Sequence, residues 1–379
     1  MKAVVSGLLA TVVIHGLASA QVDRNPERPA PIQEGVEAII PMDPTDPTYD
    51  IWKFRRENLS EGREPGPINI QRYYGGMAHQ GIPTFFRAPV ALLPEDLAAG
   101  EIDVAFISAH TDMGFGVRGA SRGPNDLRAN GDVYGTWGEW TMPQMHTLVN
   151  PWSELKLADY GDAPTDPLST ERTVHEVRKV VAEVAGVQHA DGRHVIPFII
   201  GGDHSLSYPN IAGVADVYGH GNVGVVHFDA HYDATMALGH LISHGAWVKR
   251  LITEGIVPGK NYIQVGLRGY YPDQHSFEWM REQGFRYHTM AEIEHRGWEP
   301  VMEDIISEAK DGPEYMFVSM DIDVLDPAYT KGTGTPEPGG LTPRELFPLV
   351  RRLCAESNVV GFDLVEYAPD RDPSYVTGL

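Results

Sequence analysis

The sequence is short of cysteine and of basic residues. Cys354 is the only cysteine among 379 residues, so no disulfide can form within the chain. A metal site here therefore has to use imidazole and carboxylate ligands and not thiolates. Basic residues number 30 against 52 acidic ones, which gives a net charge of −22. Because phosphate backbones are bound by clustered cations, this balance argues against a nucleic-acid partner and is compatible with attraction of small cationic substrates.

The N-terminus lacks an apolar run long enough to span a bilayer comfortably. Lys2 is followed by the mostly apolar residues 3–17 and then by Ala18-Ser19-Ala20, a small-x-small cleavage signal. This pattern predicts a secretory signal peptide over residues 1–20, export to the periplasm or the medium, and no membrane attachment after cleavage. An N-terminal anchor or an inert segment is the alternative interpretation.

Beyond the signal, the composition changes near residue 73. Residues 21–72 are rich in proline and acidic residues, which predicts an irregular arm and not a packed domain. The candidate strands that follow are residues 102–108, 195–200, 223–228, 262–265, 315–320 and 359–364, and the candidate helices are residues 170–185, 246–251, 300–309 and 343–355. Several strands are apolar on both faces, which is typical of a parallel sheet covered by helices. The sequence thus predicts one α/β domain over residues 73–379, with three α/β/α layers around a mostly parallel sheet.

Polar clusters follow the candidate strands, at the edge of the sheet where ligands of such folds bind. The clusters are Gly201-Gly202-Asp203-His204-Ser205, Asp229-Ala230-His231-Tyr232-Asp233, Asp321-Ile322-Asp323 and Val365-Glu366. Extended backbone projects alternate residues to one side, so Asp229, His231 and Asp233 are expected to converge. Crowded carboxylates repel strongly at reduced dielectric, and two divalent cations would balance four of them. Ligands of this kind suit Mn²⁺ best, with Ni²⁺ or Co²⁺ as alternatives.

Together, the motifs GGDHS, DAHYD and SMDIDVLDP resemble those of the ureohydrolase family, which contains arginases and agmatinases, and agmatinase-type members match best. Residues 75–89, 112–128 and 332–341 add to the similarity, which covers residues 73–370. The resemblance implies an arginase-like fold with two metal ions. It also implies a place for each ligand: His204 and Asp233 on one ion, His231 and Asp323 on the other, and Asp229 and Asp321 bridging the two.

The family's reaction is the hydrolysis of a guanidino compound to urea and an amine. Two neighbouring metal ions activate a water for attack on the central guanidinium carbon. Glu366 matches the family's guanidinium-binding glutamate, and a carboxylate fork would orient the planar cation. His244, in Ser243-His244-Gly245, matches the proton-shuttling histidine, and Asp233 is expected to relay a proton to the leaving amine. His227, inside a candidate strand, is assigned to the core or to the surroundings of the ligands.

The substrate is less clearly indicated than the reaction. Arginases place an asparagine shortly after this motif to meet the α-carboxylate, whereas Asp233 is followed here by Ala234-Thr235-Met236. That difference disfavours arginine and makes agmatine the leading substrate. Tyr232, bulkier than usual, and the aromatic loop 137–152 could instead narrow the pocket towards guanidine or a short guanidino acid, or could form oligomer contacts.

Two other functions remain as weaker hypotheses: a single-zinc deacetylase of related architecture, and an exported binding protein without catalysis. All six implied metal ligands are present, which disfavours loss of catalysis. By analogy with the family, a homo-oligomer, a trimer or a hexamer, is expected.

Overall fold

The computed structural model describes residues 59, 61–71, 81–130, 143–235, 242–270 and 272–379. The predicted signal peptide lies outside these described residues, as do most of the predicted arm and the part of the aromatic loop before residue 143. Within the described ranges, no helix is long and apolar enough to cross a membrane.

In the described part of the chain, eight parallel strands form a single sheet. They are β1 (Val104–Ser108), β2 (Leu157–Asp162), β3 (Ile196–Ile200), β4 (Val223–Phe228), β5 (Tyr262–Leu267), β6 (Arg286–Thr289), β7 (Tyr315–Asp321) and β8 (Asn358–Val365). Their order across the sheet is β2-β1-β3-β8-β7-β4-β5-β6, and each neighbouring pair is parallel. The six strands expected from the sequence are present within two residues at each end. The strands at the two edges, β2 and β6, were not expected.

The α-helices connect and cover these strands. They are α1 (Pro94–Gly100), α2 (Gly123–Asn130), α3 (Pro151–Glu154), α4 (Thr170–Gly186), α5 (Ser207–Tyr218), α6 (Trp247–Thr253), α7 (Gln274–Gln283), α8 (Met290–Arg296), α9 (Trp298–Lys310) and α10 (Pro343–Glu356). Helix α4 begins after Ser169, whose side chain accepts the N–H of Arg172 at 3.2 Å and so caps a free backbone donor. The four expected helices correspond to α4, α6, α9 and α10.

Alternate residues of β4 show how the layers are arranged. Val223 and Val225 belong to one buried apolar cluster, together with side chains of α4 and α5. Val226 and Phe228 belong to a second cluster, together with side chains of α9 and α10. Because successive strand residues point to opposite faces, the two clusters lie on opposite sides of the sheet. The predicted α/β/α arrangement is confirmed.

The end of the predicted arm packs against the domain. Arg63 donates two hydrogen bonds to the carboxylate of Asp96, at 2.7 and 2.6 Å, in the first turn of α1. Ile68 pairs with Val90 through two backbone hydrogen bonds of 2.8 and 2.9 Å. Residues 61–71 are therefore held on the domain surface by an ion pair and a short antiparallel bridge.

The centre of the sheet positions the candidate site. Strands β3, β8, β7 and β4 are consecutive neighbours, and their carboxyl ends lie at the same edge because they run parallel. His204 follows β3, Asp229 follows β4, Asp321 ends β7 and Glu366 follows β8. The fold thus brings to one edge the residues that the sequence pattern selected.

Candidate metal centre

One donor set surrounds the imidazole of His204. Its Nδ1 lies 3.0 Å from Asp229 Oδ2, 3.1 Å from Asp233 Oδ2 and 3.2 Å from Asp321 Oδ2. The ring is 1% exposed, and Nδ1 makes no well-aligned hydrogen bond within the described part of the chain. A buried polar atom without a hydrogen bond needs a partner of another kind. One ring nitrogen facing three carboxylate oxygens is a donor arrangement that suits a divalent cation.

A second donor set lies beside the first. His231 Nδ1 is 3.0 Å from Asp323 Oδ2 and 3.4 Å from Asp229 Oδ1. The ligating atoms of these three residues lie within 4.8 Å of one another, as do those of His204, Asp229 and Asp233. Asp229 belongs to both sets and turns a different oxygen to each. Its position therefore fits a carboxylate that bridges two ions.

Asp321 is placed differently from Asp229. Its Oδ2 faces His204, while its Oδ1 accepts the N–H of Asp323 at 2.8 Å. The structure thus brings Asp321 into the first donor set, and its role as a second bridge stays a prediction.

Tight turns, and not extended backbone, make the ligands converge. Asp229 Oδ1 accepts the N–H of His231 at 2.6 Å, directly after β4 ends. Asp321 makes the equivalent bond to Asp323 and begins the 3-10 turn Ile322–Val324. Aspartate side chains commonly turn the chain in this way. Asp233 then adopts a left-handed backbone, with φ at 47°. Asp229, His231 and Asp233 do converge, as the sequence predicts. The predicted reason, alternation of side chains along an extended strand, was wrong, because turns bring these residues together.

The pKa values of the buried ligands indicate that the two donor sets favour added positive charge. Burial raises the pKa of Asp321, and repulsion from Asp323 and Asp229 helps to carry it well above its ordinary value. Burial alone would lower the pKa of His231, but contacts with Asp229 and Asp323 outweigh it and raise that pKa to about 12. Without cations, the site therefore favours protons both on its imidazoles and on the carboxyl group of Asp321. Divalent ions would displace those protons, as metals do when they bind histidine.

Glu366 lies next to the first donor set and belongs to neither. It follows β8 with a left-handed backbone, φ 62°, and is 2% exposed. Its Oε1 accepts the backbone N–H of His204 at 2.9 Å and lies 2.9 Å from Nδ1 of His244. Burial would lower the pKa of His244, but the contact with Glu366 outweighs it and raises that pKa to about 9. Burial raises the pKa of Glu366 itself.

A cavity of about 370 Å³ opens onto these groups. Its lining residues are Phe115, Val117, His204, His231, Tyr232, Asp233, Thr235, Ser243, His244, Gly245, Asp321, Thr335 and Glu366. Phe115 stacks on the ring of His244, with 5.5 Å between the ring centroids. Tyr232 lines the wall as the sequence suggested, whereas residues 143–152 of the aromatic loop do not take part in the lining. None of the described lining residues is a lysine or an arginine.

Two residues near the ligands were missed in the sequence. Trp247 is fully buried and donates its indole N–H to Asp233 Oδ2 at 2.8 Å. In the sequence it stands in an apolar helical stretch, where a tryptophan is expected to pack in the core. Phe115 lies in a glycine-rich loop, and no pattern in the sequence marks it as part of a cavity.

Comparisons with known proteins agree with this geometry. The chicken (Gallus gallus) mitochondrial agmatinase is 37% identical over 295 residues, which are 76% of this chain and 80% of that protein. A guanidinobutyrase of Pseudomonas aeruginosa is 34% identical over 301 residues, 79% of this chain and 88% of the relative. The solved structure of proclavaminate amidinohydrolase from Streptomyces clavuligerus matches with a TM-score of 0.68 and 30% identity, covering 80% of this chain and 94% of that one. The model of the arginase family matches residues 102–379, and this chain belongs to that family.

Proposed function

We propose that this chain is a metal-dependent amidinohydrolase that uses two divalent ions and water to split a guanidino compound into urea and an amine. The observation that carries the proposal is the position of Asp229. Its Oδ2 faces the set of His204, and its Oδ1 faces the set of His231. A carboxylate shared by two neighbouring donor sets is typical of hydrolases with paired metal ions.

The residues themselves fit such a pair of ions. His204 and Asp233 would hold one ion, and His231 and Asp323 the other, with Asp229 between them. Asp321 would add a second bridge. When bound, the ions would supply a water of lowered pKa at the floor of the cavity.

Glu366 would orient the guanidinium. Its Oε1 is occupied by the backbone N–H of His204 and by His244, so Oε2 is left to meet the substrate. Because the carboxylate is buried, its attraction to a planar cation is screened less than it would be in water. Two contacts on Oε1 also fix the direction of the carboxylate, which would hold a bound guanidinium in one orientation.

His244 would hold the proton that the leaving amine needs. Its pKa of about 9 keeps the ring protonated at neutral pH in the metal-free protein, and the ring lines the cavity. Asp233 lines the same cavity and is the candidate relay for that proton. Stacking on Phe115 holds the His244 ring in place.

Agmatine is the favoured substrate. A guanidino acid carries a carboxylate at the far end from the guanidinium, and none of the described lining residues is a lysine or an arginine that could meet it. Agmatine ends in an ammonium group, which an acidic chain of net charge −22 attracts. The second candidate is a guanidino acid or guanidine itself. The 34% identity to a guanidinobutyrase is the reason to include guanidino acids among the substrates that are tested.

Urea release from agmatine, arginine, guanidinobutyrate, guanidinopropionate and guanidine tests the proposal directly. The mature protein would be loaded with Mn²⁺ and its metal content measured in the same samples. We expect urea with agmatine as the best substrate. Glu366→Gln should keep the ions and lose turnover, whereas Asp229→Asn should lose the ions as well. A metal-loaded protein that releases urea from none of these compounds would refute the proposal.

Three finer features belong to the same proposal. Mn²⁺ is the expected native ion, because the ligands are imidazoles and carboxylates. A homo-oligomer, a trimer or a hexamer, and export through the signal at residues 1–20 are also proposed. Native mass spectrometry of protein recovered from the medium or the periplasm would test both of these.

A further inference from the structure

A row of buried polar side chains crosses the sheet just before the metal ligands. Gln264 in β5, His227 in β4, Ser319 in β7 and Asp363 in β8 are register partners across these strands. All of them are 0% exposed, and the proposed reaction uses none of them. Buried polar groups cost free energy unless they are hydrogen-bonded, so their partners indicate what the row does.

His227 connects this row to the metal centre. Its Nε2 lies 2.8 Å from Asp229 Oδ2, the oxygen that faces His204. Its Nδ1 lies 3.0 Å from the hydroxyl of Tyr262 and 3.2 Å from the side-chain nitrogen of Gln264. The ring is therefore held at both nitrogens, with the carboxylate on one side and two polar groups on the other.

The contacts of Gln264 decide which ring nitrogen carries the proton. The side-chain nitrogen of Gln264 also lies 2.8 Å from the carbonyl oxygen of Tyr232. A carbonyl oxygen only accepts, so this atom is the amide nitrogen and donates. Its other N–H then points at His227 Nδ1, which has to accept. An imidazole with an accepting Nδ1 carries its proton on Nε2, and that N–H donates to Asp229.

We propose that His227 is a positioning residue of the metal centre. Gln264 locks its ring with the proton on Nε2, and this N–H would fix the carboxylate of Asp229 between the two ions. The proposal rests on the proposed function in that it requires the metal centre. It also excludes His227 as a ligand, although its ring lies within 4.8 Å of the ligating atoms of His204 and Asp233, because the proton occupies the Nε2 lone pair.

Two substitutions separate the hydrogen bond from the packing of the ring. His227→Gln places an amide N–H near the position of Nε2 and keeps a donor for Asp229. His227→Phe fills the same space and removes the donor. Hydrogen-bonding partners of metal ligands are typically worth about 10- to 100-fold in metal affinity. We expect His227→Phe to lower the affinity for Mn²⁺ by about 10- to 100-fold, and His227→Gln to lower it by less than about fivefold.

The measurement is a competitive titration of Mn²⁺ against a fluorescent chelator, with the ions per chain counted by elemental analysis. Tyr262→Phe serves as a matched control, because it removes one donor to Nδ1 and leaves that of Gln264. It should bind Mn²⁺ like the wild type. Wild-type affinity in His227→Phe, or an equal loss in His227→Gln and His227→Phe, would overturn the proposal.

A second measurement reads the tautomer of His227 in the wild-type protein itself. Nitrogen NMR of protein labelled at histidine and loaded with diamagnetic Cd²⁺ distinguishes the two tautomers, and His227→Gln identifies the signal by its absence. We expect the proton on Nε2 of His227. A proton on Nδ1, or coupling of Nε2 to cadmium, would refute the proposal. The titration measures metal binding and the NMR experiment measures the tautomer, and neither needs substrate. Either result can therefore contradict the role of His227 while urea release still supports the proposed function.

Discussion

Replacing Glu366 with glutamine should lower the pKa of His244 substantially. The Nδ1 of His244 lies 2.9 Å from Oε1 of Glu366, and its side chain is only 14% exposed. Burial opposes the protonated ring, and the nearby carboxylate more than offsets that penalty, so the pKa rises from 6.5 to about 9. Glutamine has nearly the same shape and no charge. In Glu366→Gln, burial should dominate and bring the pKa of His244 to its ordinary value or below.

The size of the effect follows from the size of the pKa change. Each pH unit corresponds to about 1.4 kcal/mol, so the net shift of the His244 pKa favours the protonated, folded form by roughly 3 to 4 kcal/mol. Because the folded pKa lies above the unfolded one, this stabilisation is fully present below pH 6.5 and is lost as the pH rises through about 9. The free energy of unfolding of the metal-free protein should therefore fall over that interval, and it should fall less in Glu366→Gln.

Two assays on metal-free protein with a native circular dichroism spectrum check this prediction. An NMR titration of the His244 ring gives its pKa in the wild type and in Glu366→Gln. Urea unfolding at pH 6.5 and above pH 9 gives the change in stability across the interval. An unchanged pKa of His244 in Glu366→Gln would show that the carboxylate does not hold the proton. The shuttle role proposed for His244 would then lose its physical basis.

Further predictions concern the surroundings of the ligands. Trp247→Phe removes the donor to Asp233 and should weaken Mn²⁺ binding by about 10- to 100-fold, measured by titration; unchanged affinity would contradict a positioning role. Gly202→Ala would place a Cβ 1.7 Å from the carbonyl oxygen of Thr111. It should cost about 3 kcal/mol of stability in urea unfolding. Gly186→Ala, where a Cβ meets nothing within 4 Å, is the control and should stay within about 1 kcal/mol of the wild type.

The sequence predicts the central strands well because they are apolar on both faces. Strands β3, β4, β7 and β8 are short apolar runs followed by polar clusters, and β4 and β7 are buried almost throughout. The edge strands lack that signal: β2 has the sequence LADYGD, and β6 the sequence RYHT. Half-exposed strands of this composition look like loops in a single sequence.

Helix α5 was missed for a packing reason. It contains Pro209 and Gly213, which usually argue against a helix. A Cβ at Gly213 would lie 2.7 Å from the backbone oxygen of Arg178 in α4. The glycine therefore permits close contact between two helices, and such a long-range requirement is invisible in the local sequence.

The comparisons confirm the predicted family, and the structure brings the predicted ligands together at the sheet edge. The hydrogen bonds around those ligands could not be foreseen. Trp247 reaches Asp233 only when helix α6 folds back towards the end of strand β4. The ring of His227 is held by Tyr262 and Gln264, which lie in the neighbouring strand β5. In the sequence, Trp247 and His227 both have the ordinary appearance of core residues.

The central claim is that one carboxylate, Asp229, joins two metal ions. Anomalous diffraction from crystals of the protein grown with Mn²⁺ tests it most directly. We predict two separate peaks, one beside His204 and Asp233 and one beside His231 and Asp323, with an oxygen of Asp229 on each. A single peak, or two peaks of which only one touches Asp229, would contradict the claim.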